Sequence, residues 1–322
     1  MNNLLSSKKY WFLDGGFSNQ IESQGVDLHP KLWTALCSKY NYTEVVDAHS
    51  TYHTHGADIL LTSTYQMSEM SFTKFSDGLV DIENETKNNM EAAIKAACEI
   101  KGALIAISVG PYGACLADGS EYSGNYSFEF NALTTLTNFH QNRLQTLLEA
   151  NDLVDDDNGA KLFAFETIPC VTEVKAITLA IKSVGIDQNY PFYVSFSIKD
   201  ASTLNSNESI QDAVSSLEKE LPNVDFGIGV NCCNPAIVKD ALINIEAACT
   251  TKGRVLVCYP NLGEKWNAET RCWETNTATS KQDFSECAVE WAKAGARIIG
   301  GCCRTTPEHI LDLKSSVLNS GD

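Results

Sequence analysis

Short apolar runs alternate along the whole chain with longer segments in which apolar residues recur at helical spacing. The runs are four to six residues long, and their lack of polar alternation is typical of strands that are buried on both faces. We predict eight strands, which are Tyr10–Leu13, Asp58–Thr62, Ala103–Ser108, Lys161–Phe165, Phe192–Phe196, Phe226–Val230, Arg254–Tyr259 and Ala296–Gly300.

In the segments between these strands, apolar residues recur at the spacing of an amphipathic helix. The clearest helical segments are Ile82–Ile100, Asn131–Ala150, Val171–Gly185, Ser209–Glu220, Pro235–Cys249 and Asp283–Gly295. Gly185 and Gly295 end two of them, as glycine often does because it adopts a left-handed backbone without strain. Parallel strands that are each followed by a helix predict a (β/α)8 barrel, a single domain over residues 1–322. An open doubly wound sheet is the alternative.

The acidic composition argues against two classes of partner. The chain has 322 residues and a formal net charge of −17, from 24 Lys+Arg against 41 Asp+Glu. Such a field repels phosphate backbones and anionic lipid headgroups, so we expect neither nucleic acid nor a membrane as a partner. No stretch approaches the roughly 18 apolar residues of a membrane span, and the first residues do not resemble a secretory signal. We therefore expect a soluble, cytoplasmic protein with mostly reduced cysteines.

The barrel prediction also locates the active site, because such enzymes build it from the segments that follow the carboxyl ends of the strands. Two of these segments carry adjacent cysteines, Cys232–Cys233 and Cys302–Cys303. Within a strand, adjacent residues point to opposite faces and would not converge on one ion. Just past a strand end, after Gly300–Gly301, both thiols of a pair can turn inward.

Three thiolates from these pairs would suit a zinc ion. Cys302 and Cys303, with Cys232 or Cys233, supply the three protein ligands of a tetrahedral site whose fourth position stays open for substrate. The alternative is two unrelated pairs of reduced cysteines. Zinc with three thiolates is a poor Lewis acid for water but lowers the pKa of a fourth thiol, so the expected chemistry is alkyl transfer onto sulfur.

Two carboxylates lie at strand ends on the same predicted face. Asp14 follows the first predicted strand and Glu166 follows the fourth. Together they could hold the ammonium group of an amino-acid thiol. Each could instead cap a helix or close a loop.

The strand-end segments, taken together, resemble the homocysteine S-methyltransferase family, zinc-dependent enzymes related to betaine–homocysteine methyltransferase. The resemblance covers nearly the whole chain in order. It rests on FLDGGFSNQIESQGVD, GADILLTSTYQ, SVGPYGACLADGSEYSGNY, FETIP, GVNC, YPNLGEKW and GGCCRTTPEHI. It implies a (β/α)8 barrel, Zn²⁺ as cofactor and L-homocysteine as methyl acceptor.

The resemblance also implies roles for individual residues. The zinc ligands of the family correspond to Cys232, Cys302 and Cys303, which leaves Cys233 as a neighbour outside the motif. The residues that hold the amino-acid end of homocysteine correspond to Asp14, Gly15 and Glu166.

The methyl donor implied for this branch is a sulfonium, S-methylmethionine or S-adenosylmethionine. Tyr65 is then expected near the donor, and Trp33 is a second aromatic candidate that could instead be a core anchor of a short helix. Phe17, directly after the glycines of the first loop, is similar to the betaine-using relatives, so a betaine-type donor is the alternative.

Two other classes of function remain as alternatives. One is a zinc- or thiol-binding barrel without turnover, which would bind both substrates and form no methionine. The other is a Schiff-base aldolase, for which the strand-end segments offer Lys199 and Lys265.

Overall fold

All eight predicted runs form strands of one parallel sheet in the computed structural model of the chain. The structure describes residues 1–28, 32–75, 78, 80–128, 131–154, 159–263, 265–267, 272–274 and 280–321, with the backbone alone at 265–267, 272–274 and 281. The strands are β1 Trp11–Phe12, β2 Ile59–Leu61, β3 Leu104–Val109, β4 Leu162–Ile168, β5 Phe192–Phe196, β6 Ile198–Asp200, β7 Thr203–Leu204, β8 Gly227–Asn231, β9 Val255–Tyr259, β10 Lys265–Asn267, β11 Cys272–Glu274 and β12 Ala296–Ile299.

Helices separate the strands of the barrel. They are α1 Phe17–Ser23, α2 Cys37–Tyr40, α3 Tyr42–Thr54, α4 Glu69–Phe75, α5 Ile82–Cys98, α6 Tyr112–Leu116, α7 Ala132–Asp152, α8 Val171–Val184, α9 Ile186–Asn189, α10 Ile210–Glu220, α11 Pro235–Ala248, α12 Lys281–Lys293 and α13 Pro307–Asn319, with 3-10 turns at Thr34–Leu36 and Ser120–Tyr122. As predicted, Gly185 and Gly295 follow helix ends with left-handed φ values of 77° and 98°.

The sheet closes on itself as a (β/α)8 barrel. Its strand order is β1-β12-β9-β8-β5-β4-β3-β2, and every neighbouring pair is parallel. A parallel bridge between Leu13 and Ile59 joins β1 to β2, and the Asp14 amide donates to the Ile59 carbonyl at 3.1 Å. The prediction of a barrel is confirmed, and the open doubly wound sheet is wrong.

Strands buried on both faces explain why the runs lack polar alternation. In β4, Phe163 and Phe165 pack in the layer between sheet and helices, whereas Leu162 and Ala164 face the barrel interior. Inward residues of small volume leave space inside the barrel for larger ones such as Tyr259.

The N-terminal segment closes the amino end of the barrel. Met1 and Leu5 join the apolar cluster inside the barrel. Arg297, at the start of β12, donates to the carbonyls of Leu5 and Lys8 at 3.0 and 3.2 Å. The carboxyl end of the strands is therefore the end at which a site can form.

Two hairpins at the carboxyl end were not predicted. The antiparallel pair β6–β7 follows β5, and the pair β10–β11 follows β9. Their strands have only two or three residues, too few for a recognisable run. In the part of the chain that the structure describes, no helix combines the length and apolar character needed to cross a membrane.

Candidate metal centre and substrate site

Three of the four paired cysteines meet at the carboxyl end of the barrel. Cys232 directly follows β8, and Cys302 and Cys303 follow β12. The Sγ atoms of Cys232 and Cys303 are 3.8 Å apart, and those of Cys302 and Cys303 are 4.0 Å apart. All three sulfurs lie within 4.8 Å of one another. A disulfide requires about 2.05 Å, so the cluster is a set of free thiols.

The sulfur separations match tetrahedral coordination. Zinc–sulfur bonds of about 2.3 Å at a tetrahedral angle place two sulfurs about 3.8 Å apart. A hydrogen bond from the Cys232 thiol, with another from Cys302, lowers the pKa of Cys303 well below its usual value. The cluster of three cysteines therefore favours the thiolate form of Cys303.

Backbone conformation directs these thiols. Cys232 has a left-handed φ of 49°, unusual for a residue with a side chain, and its amide donates to the Tyr259 carbonyl at 3.2 Å. The Cys302 amide donates to the Pro260 carbonyl at 2.8 Å. Both strand ends are thus fastened to the end of β9, and strain at Cys232 is typical of a functional site.

Gly300 and Gly301 do not act as the turn that we expected. Neither has a left-handed φ, whereas Arg304 has a φ of 69°. A Cβ atom on Gly300 would lie 2.6 Å from the Leu13 side chain, and one on Gly301 would lie 2.2 Å from Thr305. The glycines are needed for close packing, and the backbone reverses after the cysteines.

Cys233 lies apart from the cluster. Its side chain is 4% exposed and packs in the apolar layer outside the barrel. Burial raises the pKa of its thiol to about 12. These surroundings fit the prediction that Cys233 is a neighbour and leave Cys232 as the third thiol of the group.

Asp14 and Glu166 lie close enough for their charges to interact, and both are buried. Asp14 Oδ2 accepts a hydrogen bond from the Leu61 amide at 2.9 Å, while Oδ1 is buried without a partner among the described residues. Burial raises the pKa of Asp14 well above its usual range, and the charge of Glu166 adds to the effect. Asp14 thus joins β1 to β2 and keeps one oxygen for another donor.

Glu166 accepts a hydrogen bond from the hydroxyl of Ser108. Burial raises its pKa to about 7, although hydrogen bonds from Ser108 and Tyr259 oppose the shift. Neither carboxylate takes the alternative role of a helix cap, because α1 and α8 begin after Gly16 and Cys170. Two like charges that burial destabilises are suited to a shared cation.

Gly15 is fixed by its surroundings. A Cβ atom there would lie 2.7 Å from Thr305 Oγ1 and 2.9 Å from the ring of Tyr52. The loop after β1 therefore packs directly against the segment that carries Cys302 and Cys303. Its contact with an amino acid stays a prediction.

Tyr65 lies beside the thiol cluster, in the segment after β2. Burial raises the pKa of its phenol, and the charges of Glu121, Cys232 and Glu166 add to the shift. Thr167 makes a hydrogen bond with the Tyr65 side chain. The ring is therefore a neutral aromatic surface at the site.

Trp33 is not the core anchor that we weighed as an alternative. Its side chain is 38% exposed, and its φ is 42°. The segment that follows it is joined to the loop after β2 by a 2.7 Å hydrogen bond between Ser38 and Ser63. Contact between Trp33 and a donor stays a prediction.

Glu121 and Tyr122 were not predicted as site residues. Both belong to the 3-10 turn after α6, and Glu121 is 8% exposed. Burial raises the pKa of Glu121 to about 7, with contributions from Asp118 and Cys303. The charges of Cys232 and Cys303 act on Tyr122. Both residues fall within a quoted motif, but nothing in their spacing marks them.

Arg143 was also missed. This buried residue of α7 donates to the carbonyls of Gly110 at 2.7 Å, Thr64 at 3.0 Å and Tyr65 at 2.7 Å. It holds the ends of β2 and β3 together and thereby positions Tyr65. An arginine in a helix gives no sequence signal for such burial.

Of the two lysines considered for an aldolase, the structure describes the side chain of Lys199 alone, and its surroundings do not support that role. Lys199 is exposed at the β6–β7 hairpin. The side chain of Lys265 lies outside the described residues. The described residues instead place a cluster of three thiols that could hold a metal ion, with buried carboxylates, at the open end of the barrel.

Comparisons with known proteins identify the class. The family model for homocysteine S-methyltransferase matches residues 11–317. Homocysteine S-methyltransferase 1 of Arabidopsis thaliana is 34% identical over 310 residues, which cover 92% of this chain and 90% of that protein. Selenocysteine Se-methyltransferase of Brassica oleracea var. italica is 33% identical over 316 residues, covering 94% of this chain and 87% of that protein.

A solved structure agrees with these sequences. The homocysteine methyltransferase MmuM of Escherichia coli, in its metallated form, superposes with a TM-score of 0.79 at 29% identity. The match covers 97% of this chain and 98% of that one. The protein is thus a methyltransferase built on a (β/α)8 barrel. It belongs to the homocysteine S-methyltransferase family.

Proposed function

We propose that this enzyme transfers a methyl group from a sulfonium, S-methylmethionine or S-adenosylmethionine, to the sulfur of L-homocysteine and forms methionine. The observation that carries the proposal is the cluster of three thiols beside two buried carboxylates. The first group suits a metal that binds a thiol, and the second suits an ammonium group. The names of the Arabidopsis and E. coli relatives support homocysteine as the acceptor.

Zn²⁺ is the metal that we propose for Cys232, Cys302 and Cys303. Three sulfur ligands favour zinc over magnesium or calcium, and their spacing suits its bond length. When bound there, zinc supplies an open coordination position that lowers the pKa of an incoming thiol. The metallated form of the E. coli relative supports a metal as part of this enzyme.

Asp14 and Glu166 are proposed to hold the ammonium group of homocysteine. An ammonium group offers three hydrogen-bond donors and one positive charge. Asp14 Oδ1 lacks a donor among the described residues, and Ser108 already orients Glu166. Gly15 keeps the loop of Asp14 packed on Thr305, so the carboxylate stays at a fixed distance from the cysteines.

The reaction is a displacement at the methyl carbon. The acceptor sulfur, after losing its thiol proton to solvent, forms a new bond to that carbon while the carbon–sulfonium bond breaks. The electron pair of the broken bond stays on the donor sulfur, which leaves as a neutral thioether. With S-methylmethionine, two molecules of methionine result. Opposite charges disappear in this step, so a pocket that excludes water favours it.

Aromatic faces are proposed to contact the donor cation. Such contacts contribute roughly 0.5–2 kcal/mol each, and Tyr65 and Trp33 are the candidates. Phe17, the residue similar to the betaine-using relatives, stacks on His49 with ring centroids 4.5 Å apart. Its ring has a packing role, so it does not by itself favour betaine.

The metal assignment is tested by replacing each ligand with serine. We expect Cys232→Ser, Cys302→Ser and Cys303→Ser to lose bound zinc and methionine formation, measured by elemental analysis and chromatography. Cys233→Ser is the matched control and should keep both. Variants of the first three positions that retain zinc and activity would show that the assignment is wrong.

The donor is tested on the zinc-loaded enzyme with homocysteine as acceptor. We expect methionine from S-methylmethionine or S-adenosylmethionine and none from betaine. Activity with betaine alone would overturn the sulfonium assignment. Binding of both substrates without product would indicate a binding barrel. L-selenocysteine belongs in the acceptor panel because the Brassica relative bears its name.

A further inference from the structure

Glu121 is a buried carboxylate that the proposed chemistry does not use. It is 8% exposed, and its Oε2 atom has no hydrogen-bond partner within the described part of the chain. Leaving a buried carboxylate oxygen without a donor is costly. A fixed carboxylate of this kind suits a ligand that brings both a positive charge and N–H groups.

The backbone around Glu121 is held firmly. A Cβ atom on Gly113 would lie 2.4 Å from the Glu121 amide nitrogen, so α6 packs directly against this turn. The Tyr122 amide donates to the Gly119 carbonyl at 3.1 Å, and the Gly124 amide donates to the Ser120 carbonyl at 2.8 Å. The carboxylate is therefore presented by a rigid segment.

Glu121 and Asp14 lie beside different aromatic residues around the thiol cluster. The charge of Glu121 acts on Cys303, Tyr65 and Tyr122, and Tyr122 also lies in range of Cys232. The charge of Asp14 acts on Tyr52, which lies in range of both Cys302 and Cys303. In a direct displacement the acceptor sulfur, the methyl carbon and the donor sulfur lie on one line. Separate carboxylates for acceptor and donor fit this requirement.

The ligand group is an ammonium rather than the sulfonium itself. A sulfonium has no N–H or O–H to satisfy the free oxygen of Glu121. An anion against the sulfonium would also stabilise a charge that disappears in the transition state, and so would slow the reaction. The ammonium group of an amino-acid donor keeps its charge throughout, so its binding affects the ground state and the transition state equally.

We propose that Glu121 binds the α-ammonium group of the methyl donor and thereby selects a sulfonium that is also an amino acid. This inference rests on the proposed sulfonium-dependent function. It adds a second amino-acid subsite, formed by Glu121 with the rings of Tyr65 and Tyr122, to the one that Asp14 and Glu166 form for homocysteine.

The test compares S-methylmethionine with its desamino analogue, (3-carboxypropyl)dimethylsulfonium, on the zinc-loaded enzyme. The wild type should show a KM for S-methylmethionine about 10- to 100-fold below that for the analogue. Glu121→Gln should raise the KM for S-methylmethionine by the same factor, with kcat and the KM for homocysteine within about twofold of the wild type. The analogue should be used equally well by both proteins.

Asp118→Asn is the matched control, because it removes an exposed carboxylate of the same loop. It should change neither donor KM. Glu121→Asp, which keeps the charge, should lie closer to the wild type than Glu121→Gln. Thermal unfolding and zinc content verify that each variant is intact.

Several results would overturn the inference. One is a wild type that uses both sulfonium compounds equally. A second is a Glu121→Gln variant whose KM rises by the same factor for both donors. A third is a Glu121→Gln variant that raises the KM for homocysteine instead. A wild type that uses no sulfonium at all would refute the proposed function as well. A wild type active with S-methylmethionine but insensitive to Glu121→Gln would refute this inference alone.

Discussion

Glu218 and Glu166 are buried glutamates at opposite ends of the barrel, and their surroundings differ in kind. At the amino end, Glu218 accepts from Arg254 Nε at 2.9 Å and from the amides of Thr250 and Thr251 at 2.6 and 3.1 Å. These contacts outweigh burial and lower its pKa to about 2. At the carboxyl end, burial dominates and raises the pKa of Glu166 to about 7.

The two ends of the barrel therefore carry two kinds of buried carboxylate. One kind stabilises the fold, and the other is destabilised by burial in the absence of a ligand. Glu218 is hydrogen-bonded to groups of the chain itself, so its negative charge stabilises the folded state. Burial raises the pKa of Glu166, Asp14 and Glu121, so their charges oppose folding until a cation binds. Asp14 and Glu121 each also have a buried oxygen without a partner among the described residues. Such a distribution is expected where stability is given up for binding.

The largest effect that tests this comparison is expected at Asp14. Asp14→Asn removes a charge whose Oδ1 has no partner in the described structure, so kcat/KM for homocysteine should fall about 10²- to 10³-fold, mainly through KM. Thermal stability should stay equal or rise, because an unpaired buried charge is lost. Steady-state kinetics and calorimetry measure both. A variant with lower thermal stability and an unchanged KM for homocysteine would show that Asp14, like Glu218, stabilises the fold.

Glu218→Gln should show the opposite pattern. It removes the charge that Arg254 pairs with, and the free energy of unfolding should fall by about 3 kcal/mol while the KM values stay unchanged. Urea denaturation and the methyl-transfer assay provide the measurements. The exposed pair Lys239 and Glu290 is the control, and Lys239→Ala should alter stability little. A raised KM in Glu218→Gln would show that Glu218 also affects substrate binding and is not only a group that stabilises the fold.

The same glutamate predicts a pH dependence. Because its pKa is lowered to about 2, from an unfolded value of 4.5, its contribution is complete above pH 4.5 and is lost as pH falls toward 2. The difference in unfolding free energy between wild type and Glu218→Gln should therefore shrink only below pH 4.5. Denaturation curves from pH 7 to 3 measure it, and a gap that closes between pH 7 and 5 would contradict the assignment.

The sequence predicts the barrel well because its strands are buried on both faces. A run such as Phe192–Phe196 matches the observed strand in full, and β12 ends one residue before the predicted limit. The paired cysteines were recognisable because they follow strands. The β6–β7 hairpin was missed because its strands are too short to form a pattern.

Other parts of the site depend on contacts between distant segments. Arg143 is buried only because the loops after β2 and β3 fold over α7 and present their carbonyls to it. Glu121 is buried because its turn packs against Gly113. Gly301 was interpreted as a turn residue, but its role is to admit Thr305. Contacts of this kind, between residues far apart in the chain, cannot be recognised from the local sequence.

His49 is a third kind of buried titratable group, because its ring nitrogens lack hydrogen-bond partners among the described residues and yet it is not proposed to bind a ligand. Neither ring nitrogen has a partner in the described regions, and burial lowers its pKa to about 3. Stability should be complete above pH 6.5 and fall as pH decreases below it, by about 1.4 kcal/mol per unit for this group. His49→Leu should reduce the slope of unfolding free energy against pH between pH 6.5 and 4.5. In this range the contribution of Glu218 does not change with pH. An unchanged slope in denaturation experiments would show that His49 is not the acid-sensitive group.

The smallest effect is expected from a glycine at the amino end. Gly185 ends α8 with a φ of 77°, and a Cβ atom would make only an ordinary 3.4 Å contact with Asn189, so Gly185→Ala introduces conformational strain without a clash. The free energy of unfolding should fall by about 1 kcal/mol with unchanged kinetic constants. Gly159→Ala is the control, since Gly159 has a similar space for Cβ and no left-handed φ. Calorimetry that finds equal melting temperatures for the two variants would show that backbone conformation at Gly185 does not stabilise this end of the barrel.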